Sequence, residues 1–228
     1  MLRRLSFIAF RVSILFFGVS LLWVGILKFV PVWITPYMIS CKMAAISEDE
    51  DSEIHSDWEP YENISKEAAL AVVASEDQNF PNHWGFDFDE IYDAMTEDRK
   101  RARGASTISQ QVAKNVFLWH GRSFIRKGLE AYFTILIEII WGKQRILEVY
   151  LNVAEMGKMT FGVEAASLRY YNKSAKNLNR AEAARIAAVL PNPVRFSIKN
   201  PSAYVIKRSG QISRQMRALG GQKYIADI

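Results

Sequence analysis

The sequence predicts a mainly α-helical protein carried on one N-terminal helix long enough to cross a membrane. Three observations predict it. An apolar run covers Val12 to Ile34, interrupted by Lys28. Apolar residues recur at helical spacing through most of the remainder. Strand signals are confined to Lys158 to Val163, a candidate hairpin. A length of 228 residues fits one large domain with a small appendage. Hydrophobic residues at 50% and charged residues at 23% exclude a disordered chain. The single cysteine, Cys41, excludes an internal disulfide framework and a cysteine-based zinc site.

Net charge is +5, unevenly spread. Seven acidic side chains fall between Glu48 and Glu59, where no Lys or Arg occurs. The remaining chain is correspondingly more basic and suits an anionic partner: nucleic acid, anionic lipid or a phosphate-bearing substrate.

The run over 12–34 would form a helix of roughly 35 Å, enough for a hydrocarbon core of about 30 Å. Lys28 can snorkel to the interface, and Trp23 and Trp33 suit an aromatic belt. Arg3, Arg4 and Arg11 outnumber Lys28 and Lys42, which favours residues 1–11 inside and the body outside. A cleaved signal peptide would want a shorter apolar core and a small-x-small site before Met43. A lipid on Cys41 is disfavoured by Pro36 and Tyr37, which intrude on the apolar run. Residues 35–60 read as an acidic, solvated linker, leaving 61–228 as the folded domain.

Within that domain, 66–76 (KEAALAVVASE) reads as a short buried helix, followed by an aromatic loop over 78–89. The charged stretch 97–105 suggests a mobile segment, and 86–103 a flap. Ser106 or Thr107 can cap a helix through Asn115, and Ser123 the next, with Leu129, Tyr132, Phe133, Leu136, Ile137 and Ile140 on one side. Gly142 marks a bend, after which Ile146, Leu147, Tyr150 and Leu151 continue the period. Asn179 with Glu182 makes a capping box for a helix stopped by Pro191 and Pro193. Pro201 opens a last helix with Val205, Ile212, Met216 and Leu219 inward and several Lys and Arg outward.

Several polar residues sit where chemistry could use them. Glu76 and Asp77 end an apolar helix at an aromatic loop, where partial burial would raise a carboxylate toward use as a general base. The alternative is a solvated helix end. Ser106, Gln110 and Lys114 fall four apart, flanked by Gln111 and Asn115, a strip fit for sugar or phosphate or an ordinary wet surface. Arg122, Arg126, Lys127 and Glu130 form either an intrahelical ion pair or a carboxylate that orients cations or a metal. Lys143, Arg145 and Glu148 repeat that choice. There is no P-loop and no HExxH, and His55, His83 and His120 lack ligand spacing. No Ser-x-x-Lys occurs, which removes an acyl-serine site, and no nucleic-acid motif is present.

Five of these segments, in order across 76–190, resemble the motifs of the peptidoglycan glycosyltransferases, the family of the N-terminal domain of class A penicillin-binding proteins. Glu76 to Gly85 (EDQNFPNHWG) resembles EDxxFxxHxG, and Gly104 to Gln111 (GASTISQQ) resembles GxSTxxQQ. Arg126 to Glu130 (RKGLE) resembles RKxxE, Lys143 to Asn152 (KQRILEVYLN) resembles KxxILxxYxN, and Arg185 to Leu190 (RIAAVL) resembles RxxxVL. With one such domain the chain resembles the monofunctional biosynthetic transglycosylase branch.

The resemblance implies a lysozyme-like helical fold and polymerisation of lipid II into β-1,4 glycan strands, with release of undecaprenyl pyrophosphate. It implies moenomycin sensitivity and a single-pass protein of the bacterial inner membrane with its catalytic domain on the periplasmic side. An α-linked diphosphate donor and a β product mean inversion. By resemblance Glu76 is the base and Glu130 the second essential carboxylate, ordering cations or a divalent metal, with Mg or Mn the candidates. Lys114 and Arg122 match phosphate-contacting positions, with Arg126 and Lys127 beside them, and Ser106, Gln110 and Gln111 would line the cleft. Implied partners are lipid II, the growing glycan strand, membrane lipid and other cell-wall synthesis or division proteins, with no nucleic acid. A lysozyme-like muramidase and a catalytically silent membrane scaffold are the competing readings.

Overall fold

The computed structural model describes residues 2–89, 92, 106–119, 121 and 123–228. Helix α1 (Leu2–Leu27) is apolar, and from Ser6 to Leu27 it is long enough to cross a bilayer. Only 11% of an apolar 18-residue window within that stretch is buried, unlike the mostly buried core helix of a soluble domain. It starts and ends earlier than the 12–34 span expected from hydropathy. Lys28 and Phe29 close a turn on the carbonyls of Val24 and Ile26, and the apolar residues up to Ile34 are not helical.

The carbonyls at and just past that end receive side-chain donors from the body. Trp141 Nε1 donates to Val24 O at 2.7 Å, and the Arg145 guanidinium donates to Leu27 O at 2.8 Å and Val30 O at 2.5 Å. A cation and indole at a helix C-terminus satisfy orphan carbonyls and complement the dipole. Arg145 is itself held by Glu148 at 2.7 Å and lies over the Trp58 ring.

The expected linker over 35–60 is largely structured. Thr35 caps α2 (Pro36–Ser47), which buries Met38 and Ala45. Strand β1 (His55–Ser56) then pairs in parallel with β3 (Thr160–Phe161), which pairs antiparallel with β2 (Glu155–Gly157). The Asn152 side chain ties down Glu59, accepting its N–H at 2.8 Å and donating to its carbonyl at 2.9 Å. Acidic composition suggested a solvated spacer, but these long-range bonds hold its backbone.

Helix α3 (Lys66–Glu76) is the centre of the body. Ser65 caps it, and every residue from Ala68 to Ala74 is buried. A helix apolar all round must be enclosed, and its alanines let neighbours approach closely. The enclosing elements include α8 (Arg180–Val189) and α9 (Ala203–Ala218). Helix α4 (Ile108–Phe117) packs on both α5 (Phe124–Ile140) and α6 (Lys143–Val153), and α7 (Val163–Tyr171) follows the hairpin. The predicted caps form: Thr107, Ser123 and Asn179 each accept from backbone N–H groups, and Asn179 with Glu182 completes a capping box. Thr107 rather than Ser106 starts α4.

Removing the Arg145 guanidinium unties two carbonyls and frees Glu148. Arg145→Ala is expected to lose about 2 kcal/mol, from lost charge-assisted hydrogen bonds. Thermal unfolding of the full chain in detergent should read a fall of roughly 4–8 °C for a protein of this size. An unchanged melting temperature would remove the clamp from the account.

Candidate active site

Glu76 is the last residue of α3, partly exposed at the end of a buried helix. Burial pushes its carboxyl above the ordinary carboxylate value, opposed by the Gln111 hydrogen bond and by the charge of Arg208. The helix C-terminus adds to the rise, because the dipole there disfavours an anion. Gln111 Nε2 donates to Glu76 Oε2 at 3.1 Å, and Ser75 Oγ lies 3.4 Å from Oε1. Arg208, from α9, donates to Ser75 O at 3.1 Å. The sequence places several Lys and Arg of this last helix outward without saying which; Arg208 is one that turns in, over the end of α3.

Asp77 is buried and fully engaged. His83 Nε2 donates to Oδ1 and Oδ2 at 2.9 and 3.0 Å, and the Ile108 N–H donates to Oδ2 at 2.9 Å. Gly85 N–H donates to His83 Nδ1 at 3.1 Å, which puts the ring proton on Nε2, facing Asp77. Gly85 has φ +81°, and a Cβ there would sit 2.7 Å from Thr134 Cγ2. Its carbonyl accepts from Thr107 Oγ1 at 2.6 Å. The aromatic loop is thus fastened to the N-terminus of α4, and Glu76 alone of the acidic pair is left for chemistry.

The strip expected from Ser106, Gln110 and Lys114 does not form. Ser106 lies before the helix and is exposed. Gln110 is buried, its Oε1 accepting the Thr107 N–H at 3.0 Å while Thr107 Oγ1 accepts the Gln110 N–H at 3.2 Å. Its spacing is that of a capping box, which serves the helix rather than a cleft. Gln111 does reach the site, and its Oε1 accepts from the buried Tyr150 hydroxyl at 3.2 Å.

Lys114 is half-buried on α4. Burial lowers its ammonium pKa, Glu130 and Glu76 oppose that, and Arg126 and Lys127 reinforce it. Lys114 therefore shares a field with Glu76 on one side and the Arg126–Lys127–Glu130 cluster on the other. Glu130 is buried, with Lys127 Nζ at 2.5 Å and Arg126 Nη1 at 3.5 Å. Among the described residues, the buried Arg126 Nε has no hydrogen-bond partner. Arg122 lies outside the described residues, as does most of the flap expected over 86–103.

The KxxILxxYxN segment is structural at its charged positions. Lys143 donates to the buried Glu138 at 2.7 Å and lies over the Phe80 ring. Ser109 Oγ donates to the same Glu138 oxygen at 2.5 Å. Arg145 and Glu148 hold the end of α1, as above. Tyr150 and Arg208 are the site neighbours that sequence reasoning missed. Tyr150 sits at a core period, and its hydroxyl could be placed only by knowing that α4 faces it.

A divalent cation does not fit the donor set at Glu130. That carboxylate is already met by two cationic side chains, and Lys114 adds a third positive charge. Among the described residues no group of three or more His, Cys, Asp or Glu could hold a metal.

The family model described as Transglycosylase matches residues 42–217. Three relatives carry the printed name biosynthetic peptidoglycan transglycosylase. The one from Pseudomonas putida (strain F1) is 48% identical over all of this chain and 96% of its own length. Those from Pasteurella multocida and Yersinia pseudotuberculosis are 51% and 52% identical, over 93% and 92% of this chain and 88% and 90% of their own lengths. The match covers the body from within α2 to the end of α9, and the chain belongs to the transglycosylase family.

Proposed function

We propose that this protein polymerises lipid II into β-1,4 linked glycan strands, with inversion at the donor sugar and Glu76 as general base. The observation that carries the reading is one carboxylate with a raised pKa sharing a field with a half-buried lysine and a cationic cluster. The acceptor 4-hydroxyl oxygen attacks the donor C1 as its proton passes to Glu76. The new C1–O bond forms while the bond to the diphosphate oxygen breaks, and the electron pair leaves on undecaprenyl pyrophosphate. Lys114, Arg126 and Lys127 are the charges available to meet that diphosphate, and Glu130 keeps the last two in place. Arg122, by sequence, would join them. A divalent cation accompanying the diphosphate would belong to the substrate rather than to a protein site.

Both substrates are lipid-linked, so a membrane anchor raises their encounter frequency. The preceding arginines favour the N-terminus inside and the body on the outer, periplasmic face of the inner membrane. The α5 surface beside α1 fits such a position. Ile125 and Ile139 are exposed and lie on the same helical face as Tyr132, which contacts Phe16 and Phe17 of the span.

The deciding experiment is incubation of the full chain with lipid II, which should give polymer sensitive to moenomycin, and with purified sacculi, which should give no cleavage. Glu76→Gln should lower polymerisation by at least about 10²-fold, the worth of a general base, with membrane binding intact. A scaffold would be unaffected. Because burial raises the Glu76 pKa, its ionised form is disfavoured by folding. Its contribution to stability is therefore best below the unfolded value and worsens as pH rises through the folded one. The Gln variant should accordingly melt no lower than the parent at neutral pH. For the same reason the acid limb of the pH–rate profile should lie above 4.5, the ordinary carboxyl value. Lys114→Met should cost about 10²-fold in turnover if that ammonium meets developing charge, and an undiminished rate would remove it from the leaving-group site.

A further inference from the structure

The reaction above leaves the buried Tyr150 hydroxyl unused. Tyr150 is 1% exposed and sits on α6, which packs against α4. Its hydroxyl donates to Gln111 Oε1 at 3.2 Å, and Nε2 of the same amide donates to Glu76 Oε2 at 3.1 Å. An amide has an acceptor at one corner and donors at the other. With Oε1 held by a hydroxyl proton, Nε2 must face the carboxylate. The reverse orientation would set Oε1 against Glu76, which is tolerable only when that carboxyl is protonated.

We propose that Tyr150 is a positioning residue for the base: its hydroxyl locks the Gln111 amide with nitrogen toward Glu76 and so sets the pH range in which Glu76 accepts a proton. The proposal rests on Glu76 as the base. Burial, and then the charges of Glu76 and Asp77, hold the Tyr150 pKa well above 10, so the hydroxyl keeps its proton and remains a donor throughout the working range. The other charged groups around Glu76 are Asp77 at the end of α3, Lys114 on α4 and Arg208 on α9. Asp77 is committed to His83 and the Ile108 N–H, and Arg208 to the Ser75 carbonyl. Gln111 is the group that hydrogen-bonds both Glu76 and Tyr150, so the tyrosine acts on the base through it. No proton passes along this chain; Tyr150 fixes an orientation, and the carboxylate feels which end of the amide it meets.

The test is a set of pH–rate profiles on lipid II for the full chain, Tyr150→Phe, Gln111→Met and the double variant. Without the hydroxyl the amide is held only through Nε2, by Glu76 at 3.1 Å and by the Ser106 carbonyl at the longer distance of 3.5 Å, its orientation is weakened, and the Glu76 pKa rises further. Tyr150→Phe should move the acid limb up by about one pH unit, so that activity below the limb falls about tenfold. At the alkaline plateau it should return to within about twofold of the parent, as general damage to the fold would not allow. Gln111→Met should move the limb in the same direction, and the double variant should move it no further than Gln111→Met alone. A loss equal at every pH, an unmoved limb or additive shifts would overturn the proposal. If Tyr150→Phe does not fold by thermal melting, Gln111→Met is compared with Gln111→Glu, whose carboxylate can still accept from Tyr150 but cannot donate to an ionised Glu76: a limb raised in both supports the orienting role of the amide nitrogen, and an unmoved limb in either ends it. Glu76→Gln, assayed beside them, separates the two levels. If it is active, the assignment of the base falls; if it is inactive while the Tyr150→Phe limb stays in place, only the relay falls.

Discussion

The buried carboxylate of Asp77 accepts from two directions at once, from the His83 ring and from the Ile108 N–H at the start of α4, and the site is assembled around that junction. An anion against the first N–H groups of a helix is favoured by both the free donors and the dipole. The same carboxylate fixes the His83 ring, whose other nitrogen holds Gly85. Gly85 in turn holds the Thr107 cap. The end of α3, the aromatic loop and the start of α4 are thereby one rigid unit. Gln111 and Lys114 lie on the first turns of the helix so fixed, which is why they meet Glu76 at a set distance. The conspicuous acidic pair thus divides its labour: one member builds, and the other reacts.

Burying the remaining charges is costly, and the fold meets that cost locally. Glu138 in the interior is met by Ser109 and Lys143, and Glu130 by Lys127 and Arg126. These two buried acids each have a cation, whereas the buried Glu155 and Glu164 are met by hydroxyl and backbone N–H donors. Glu76 is of the second kind, but it stands at the end of a helix facing Lys114 and the cationic cluster. It has one amide donor and the field of Arg208 at a distance, not an ion pair, and its pKa stays high. A tightly paired carboxylate would be a poor proton acceptor, so the incomplete pairing of Glu76 is what a base requires.

Local signals in the sequence were enough for the helices. The KEAALAVVASE run, the three caps and the Asn179–Glu182 box are carried by contiguous residues, and each appears where the residues place it. Misreadings arose where a partner is remote in sequence. Acidic composition made 35–60 look like a solvated spacer; the acidic side chains from Glu48 to Asp57 are exposed as that reading has it, yet Asn152, nearly a hundred positions later, bonds to the backbone of Glu59. Gln110 resembles a cleft residue by spacing, but it closes its own helix cap. Arg208 is one of several basic residues on an amphipathic helix, and only the approach of α9 to the end of α3 turns it inward. Hydropathy extended the membrane span to Ile34 because it could not register that Trp141 and Arg145 receive the helix end near Leu27.

That reception also determines how the chemistry stands relative to the membrane. Helix α5 carries Arg126, Lys127 and Glu130, and two residues later Tyr132 bonds to Ser20 of the span at 2.6 Å and packs on Phe16 and Phe17. From Arg126 to Tyr132 is six residues of helix, about 9 Å of rise, so the cationic cluster lies within two turns of the contact with α1. At the other end of the contact, Trp141 follows α5 and Arg145 opens α6, and both grip the C-terminal carbonyls of α1. A span held at its middle and at its C-terminal end cannot swing as a tether does. The depth of the cluster is then set by how deeply α1 is inserted.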